Sequence, residues 1–126
     1  MMAMNKQNKH DDLIARNLAE MISQFLGAKR VISFLYFGTR AFGLSVNKCS
    51  DFDFMLVLDR YLASDSLKIR KILQTKSFVN LDINLNLMYL SDIEARGRLN
   101  FQIRALKKTF YKYLEESKLL IGKNIF

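Results

Sequence analysis

The chain contains no proline, so it carries no proline-rich linker or polyproline segment. Its single cysteine, Cys49, cannot close an internal disulfide. That excludes a stapled scaffold and suits a reducing cytoplasm. The single histidine, His10, lies near the N-terminus and far in sequence from Cys49, so no thiol–imidazole pair is legible. No apolar run reaches the roughly 20 residues that a membrane-spanning helix needs. The segment 1–10 is polar after its first methionines and lacks the apolar centre of a secretory signal. Repeats, low-complexity tracts and Gly/Ser linkers are missing as well. With 126 residues, the expectation is a flexible N-terminus over 1–10 and one domain over 11–126 that closes on a C-terminal helix.

What is present begins with charge. Twenty Lys and Arg against twelve Asp and Glu give a net charge of +8. Such a balance favours anionic partners: nucleotide phosphates, nucleic acid or an acidic protein surface. It equally describes an ordinary solvated surface. The excess is concentrated late in the chain, at Arg96, Arg98, Arg104, Lys107, Lys108, Lys112, Lys118 and Lys123, against Glu115 and Glu116.

Hydrophobic periodicity outlines the elements. Leu13, Ile14, Leu18, Met21, Ile22, Phe25 and Leu26 recur at helical spacing, which predicts a helix capped by Asp11 or Asp12 and stopped at Gly27. Val31–Phe37 reads as a buried strand ended by Gly38, and 38–44 as a tight turn into one helical turn. After a polar loop, Asp51–Leu58 reads as a second strand, with Asp51 and Asp53 on one face and Phe52 and Phe54 on the other. A helix is expected from Ser64 or Asp65 to about Thr75. Val79–Leu87 alternates cleanly: Asn80, Asp82, Asn84 and Asn86 share one face opposite Val79, Leu81, Ile83, Leu85 and Leu87. Ser91 and Glu94 have capping-box spacing. A last helix is expected over 100–119, with Leu99, Ile103, Leu106, Phe110 and Tyr113 packed mainly against the sheet and a helix-pair or dimer seam as the alternative. This order predicts an α+β (α/β) protein: a small mixed β-sheet with helices packed mainly on one face.

Two carboxylates at i and i+2 on a strand, such as Asp51 and Asp53, stand on the same face and repel unless a cation lies between them. Hard cations take carboxylate oxygens together with phosphate oxygens. Alone, the pair could equally be a solvated strand edge. Three neighbours strengthen the metal reading. Gly38 allows close backbone approach to a phosphate, and Thr39 and Arg40 offer a hydroxyl and a guanidinium. The connection from Gly38 to Asp51 is short enough for both to face one cleft. Asp82 brings a third carboxylate if its strand lies beside Asp51–Leu58.

These residues carry a resemblance. Phe37-Gly-Thr-Arg-Ala-Phe-Gly43 followed by Ser50-Asp-Phe-Asp-Phe54, with Asp82 in Leu81-Asp-Ile83, resembles the signature of the DNA polymerase β-like nucleotidyltransferase superfamily. The branch it is most similar to is that of the minimal nucleotidyltransferases, which includes antitoxins paired with HEPN ribonuclease toxins. The resemblance covers residues 31 to about 90. It implies the nucleotidyltransferase (polymerase β-like) fold and Asp51, Asp53 and Asp82 as catalytic metal ligands for Mg2+ or Mn2+. It also implies ATP or another nucleoside triphosphate as substrate, held by Gly38, Thr39, Arg40 and Ser50. The implied reaction is two-metal transfer of a nucleoside monophosphate, AMP first among them, to a hydroxyl. The acceptor would be a protein such as a HEPN-type toxin, which makes AMPylation by an antitoxin its sharpest form. Thr39 replaces the usual serine and keeps the hydroxyl. Phe42 stands where many members carry a second arginine. Two other functions fit the same residues: RNA-end nucleotide addition, suggested by the basic C-terminal segment, and a non-catalytic binding module. Asn84 and Asn86 could contact ribose or base or equally be solvated strand residues; Tyr111 and Lys112 could bind a partner, although a solvated face is the simpler reading.

Overall fold

The computed structural model describes residues 6–43, 51–91 and 114–126. Helix α1 spans Lys6–Ile22 and passes through a π-helical turn, Ser23–Gly27, and a short 3-10 turn, Ala28–Arg30. Strand β1 is Val31–Phe37 and the one-turn helix α2 is Gly38–Ala41. Strand β2, Phe52–Leu58, is followed by helix α3, Asp65–Leu73. Strands β3, Ile83–Tyr89, and β4, Lys118–Gly122, complete the order.

The four strands form one mixed sheet in the order β3-β2-β1-β4. β1 runs antiparallel to β2 and β4, whereas β2 and β3 are parallel. A parallel neighbour needs a crossover, and α3 supplies it. β1 and β2 are central and covered on both faces, which is why they read as continuous apolar runs. On one face, Phe34, Tyr36, Phe52, Phe54 and Leu56 meet Leu18 and Ile22 of α1 and Ile69 and Ile72 of α3. Rings stack along it: Phe34 on Phe54 at 5.2 Å and Tyr36 on Phe54 at 5.1 Å between centroids. On the other face, Leu35, Phe37, Met55, Val57 and Met88 cluster with Leu114. The small α+β architecture, a mixed four-stranded sheet with helices, is thus present; α1 and α3 pack on one face, and Leu114, in a short helical turn, packs on the other. Among the described residues no helix is long and apolar enough to cross a membrane.

Three boundaries differ from the sequence expectation. α1 begins at Lys6, so Asp11 and Asp12 are inside the helix and cap nothing. Asp11 is instead buried against Arg40, and Asp12 pairs with Lys118 at 2.8 Å. The alternating segment enters the sheet only at Ile83; Val79 is exposed and precedes it. Residues 118–119, expected at the end of the last helix, belong to strand β4. The remaining expected helical stretch, 100–113, lies outside the described residues with its stripe, as do Tyr111 and Lys112.

Candidate functional site

The site forms where β1 ends and β2 begins. Antiparallel register sets Phe37 opposite Asp53, so the residue that turns the chain out of β1 lies against the Asp53 carboxylate. That residue is Gly38, with φ +89°, a conformation that side chains rarely tolerate. A Cβ added there would overlap Oδ2 of Asp53 and sit 3.2 Å from its Cγ. The glycine therefore does two things: it takes the left-handed turn and leaves room for a carboxylate against bare backbone. From Gly38 the chain closes one helical turn, with the Phe42 N–H donating to the Gly38 carbonyl at 3.1 Å. Thr39 is exposed on that turn.

Asp53 is half-buried, while Asp51 is exposed just before β2. Asn84 sits beside Asp53 in the parallel ladder and donates from Nδ2 to Asp53 Oδ1 at 3.2 Å. Burial pushes the Asp53 carboxyl above its ordinary value; the Asn84 hydrogen bond opposes this, and the Asp51 charge adds to it. The negative charge is held in a place that disfavours it, next to another of the same sign.

Asp82 adjoins this pair without completing it. It is exposed, precedes β3, and meets β2 through its carbonyl, which accepts the Phe52 N–H at 2.8 Å. Among the described residues no group of three or more His, Cys, Asp or Glu is placed to hold a metal ion. What the structure brings together is a carboxylate pair, with a third carboxylate at the start of the adjacent strand. One or two carboxylates, completed by phosphate oxygens and water, suit Mg2+ or Mn2+, so the donor set present fits such an ion.

Arg40 was expected to face the same cleft. Its Nη1 donates to both Asp11 oxygens, at 3.1 and 3.0 Å, and its guanidinium lies 4.5 Å from the Phe52 ring centroid. Phe52 and Asp53 are successive strand residues and point to opposite faces. The Arg40 guanidinium is therefore on the helix-covered side, joining α2 to α1. Ser50 and Cys49 lie outside the described residues, and His10 is an exposed residue of α1. Asn86 donates to the Phe54 carbonyl at 3.2 Å, a contact within the sheet. Two interactions were not read from the sequence. Asn84 was assigned to the right face, but only the register shows that it touches Asp53. The Asp11–Arg40 pair has no local signal, because its partners are 29 residues apart.

Compared with known proteins, the sequence matches no family model and no curated protein.

Proposed function

We propose that this protein is a minimal nucleotidyltransferase of the polymerase β-like fold, moving a nucleoside monophosphate from ATP or another nucleoside triphosphate to a hydroxyl. The observation that carries the reading is the contact between Gly38 and Asp53. A turn suited to phosphate and a carboxylate suited to a cation share one point, and a side chain at Gly38 would separate them.

Asp51 and Asp53, with Asp82 at the neighbouring strand start, would hold Mg2+ or Mn2+, which supplies charge neutralisation on the phosphates and a lowered pKa for the acceptor hydroxyl. Asn84 fixes one oxygen of Asp53 and so aims the other. The backbone at Gly38 and the Thr39 hydroxyl receive the phosphates of the leaving pyrophosphate. The acceptor oxygen forms a bond to the α-phosphorus as the bond to pyrophosphate breaks, and the acceptor proton leaves to solvent or a carboxylate. Positioning and charge neutralisation supply most of the catalysis in such a reaction. The acceptor we favour is a protein hydroxyl on a HEPN-type toxin in the cytoplasm.

The engagement of Arg40 with Asp11 and Phe52 favours a second reading: a non-catalytic module that neutralises its partner by contact. One experiment separates the two. Full-length protein is incubated with its co-expressed partner and α-labelled ATP, with and without Mg2+. Transfer that requires Mg2+ and disappears in Asp51→Asn/Asp53→Asn supports the enzyme. Absence of both ATP binding and transfer rejects it. Neutralisation that survives the double substitution supports the binding module.

A further inference from the structure

Asp11 and Arg40 are charged residues in a place that disfavours charge. Asp11 is fully buried, and the Arg40 side chain is 11% exposed. Taking both out of water offsets most of what their attraction returns, so an apolar pair of similar size would hold α1 to α2 equally well. What the ion pair adds is direction. A guanidinium is planar and binds a carboxylate in few orientations, and Arg40 Nη1 donates to both Asp11 oxygens.

The thing oriented is Phe52. Arg40 follows Thr39 directly in the turn, and its guanidinium lies over the Phe52 ring. That ring is buried, with Tyr36 stacked on it at 6.3 Å between centroids. Phe52 stands between Asp51 and Asp53 in the chain, and its N–H is the group that donates to the Asp82 carbonyl. All three carboxylate residues therefore adjoin the backbone of one residue, whose ring Arg40 holds from the helix-covered face. A line of contacts runs from α1 through the Gly38–Thr39 turn to the start of β2.

We propose that Asp11 and Arg40 are positioning residues, a proposal that rests on the nucleotidyltransferase reading above. From behind the sheet they fix the Gly38–Thr39 turn and, through Phe52, Asp51 and Asp53, so that phosphate and cation meet at one separation. Neither residue touches the nucleotide or the metal. A site of this kind depends on such supporting contacts to hold its ligands in place.

The test uses full-length protein, with Mg2+ and ATP titrated by calorimetry under conditions where each variant is folded. Asp11→Asn and Arg40→Lys should each weaken Mg-ATP binding about tenfold. Asp11→Asn leaves Arg40 short of a partner and endangers the fold, so Asp11→Leu/Arg40→Met, which strands no charge, is the second variant. It should fold and lose affinity to a similar degree. Hydrogen exchange reads the turn without nucleotide: the Phe42 N–H, bonded to the Gly38 carbonyl, should exchange faster in these variants by a larger factor than the amides of β2. Tighter ATP binding in Asp11→Asn would make Arg40 a phosphate ligand restrained by Asp11, and overturns the proposal. Variants that are only less stable, with Mg-ATP affinity unchanged, assign the pair a structural role and also overturn it. So does a Phe42 amide that exchanges no faster than β2 allows. A wild-type protein that binds no Mg-ATP overturns the nucleotidyltransferase reading and the proposal together, whereas binding that the variants share overturns the proposal alone.

Discussion

Two carboxylates of this protein have opposite surroundings. Asp65, at the start of α3, is fully buried. Arg30 meets both its oxygens, at 2.7 and 3.1 Å, and the Leu62 N–H and Tyr89 hydroxyl donate at 3.0 and 3.1 Å. These bonds, Arg30 first, hold its carboxyl below the ordinary range. Burial, reinforced by the bond shared with Asp65, pushes the Tyr89 phenol up to about 12. Asp53 is less buried, accepts one side-chain hydrogen bond among the described residues, from Asn84, and is pushed the other way. A protein that needs acidic groups only for architecture satisfies them as it satisfies Asp65. Asp53 lies instead beside Asp51 and against a glycine that keeps its approach open. Under the proposed function, the difference marks where the chain would hold charge for a cation and its nucleotide.

The comparison can be broken in several ways. The largest effect is expected at the ligand. Asp51→Asn/Asp53→Asn should lower Mg2+-dependent ATP binding by more than about a hundredfold, since loss of a metal ligand exceeds the 10–100-fold cost of losing its supporting partner. Asn84→Ala, which removes that partner, should cost about tenfold in the same titration. Retained ATP affinity in the double variant would remove the cation from the account of Asp53.

Next in size is stability. Arg30→Met strands a buried Asp65 and should cost about 3 kcal/mol, read from the urea midpoint. Gly38→Ala places a side chain at positive φ and against Asp53; about 1–3 kcal/mol of destabilisation is expected from the backbone alone. A neutral Gly38→Ala would show that the turn relaxes freely and that its closeness to Asp53 is incidental.

The smallest effect is the sharpest, because it is a difference of sign. Asp65→Asn should destabilise, whereas Asp53→Asn should be neutral or stabilising by less than about 1 kcal/mol at neutral pH. Titration carries the same signs. The folded pKa of Asp65 is lowered, so its contribution is complete above the ordinary carboxylate value of 3.8 and is lost as pH falls through the lowered value. The folded pKa of Asp53 is raised, so its contribution is present below 3.8 and is lost as pH rises through the raised value. Urea midpoints between about pH 3 and pH 7 should therefore show the acid-side loss disappear in Asp65→Asn and a flatter neutral limb in Asp53→Asn.

Much of this was legible in the residues. β1, β2 and α3 could be read within a residue or two because central strands and an amphipathic helix carry their pattern locally. The Gly38 turn and the Asp51/Asp53 spacing were equally local. What could not be read depends on distant partners. Asp11 and Asp12 look like helix caps until Arg40 and Lys118 arrive to claim them. Val79 and Leu81 alternate as strand residues do, but the register with β2 starts at Ile83. Lys118–Gly122 holds too few residues for a period, and only the edge of β1 makes it a strand. Arg40 was assigned to phosphate by its place in a motif, and its orientation was settled by a helix far away in the chain.

The pairing of β4 with β1 also constrains how the molecule is made. β1 and β2 are close in sequence and can pair soon after both are made, but the other edge of β1 is completed by β4, a strand made much later. Long-range pairings of this kind form slowly. Until β4 emerges, a newly made chain presents a bare apolar edge, a point at which chaperones or a second nascent copy would compete with the native strand.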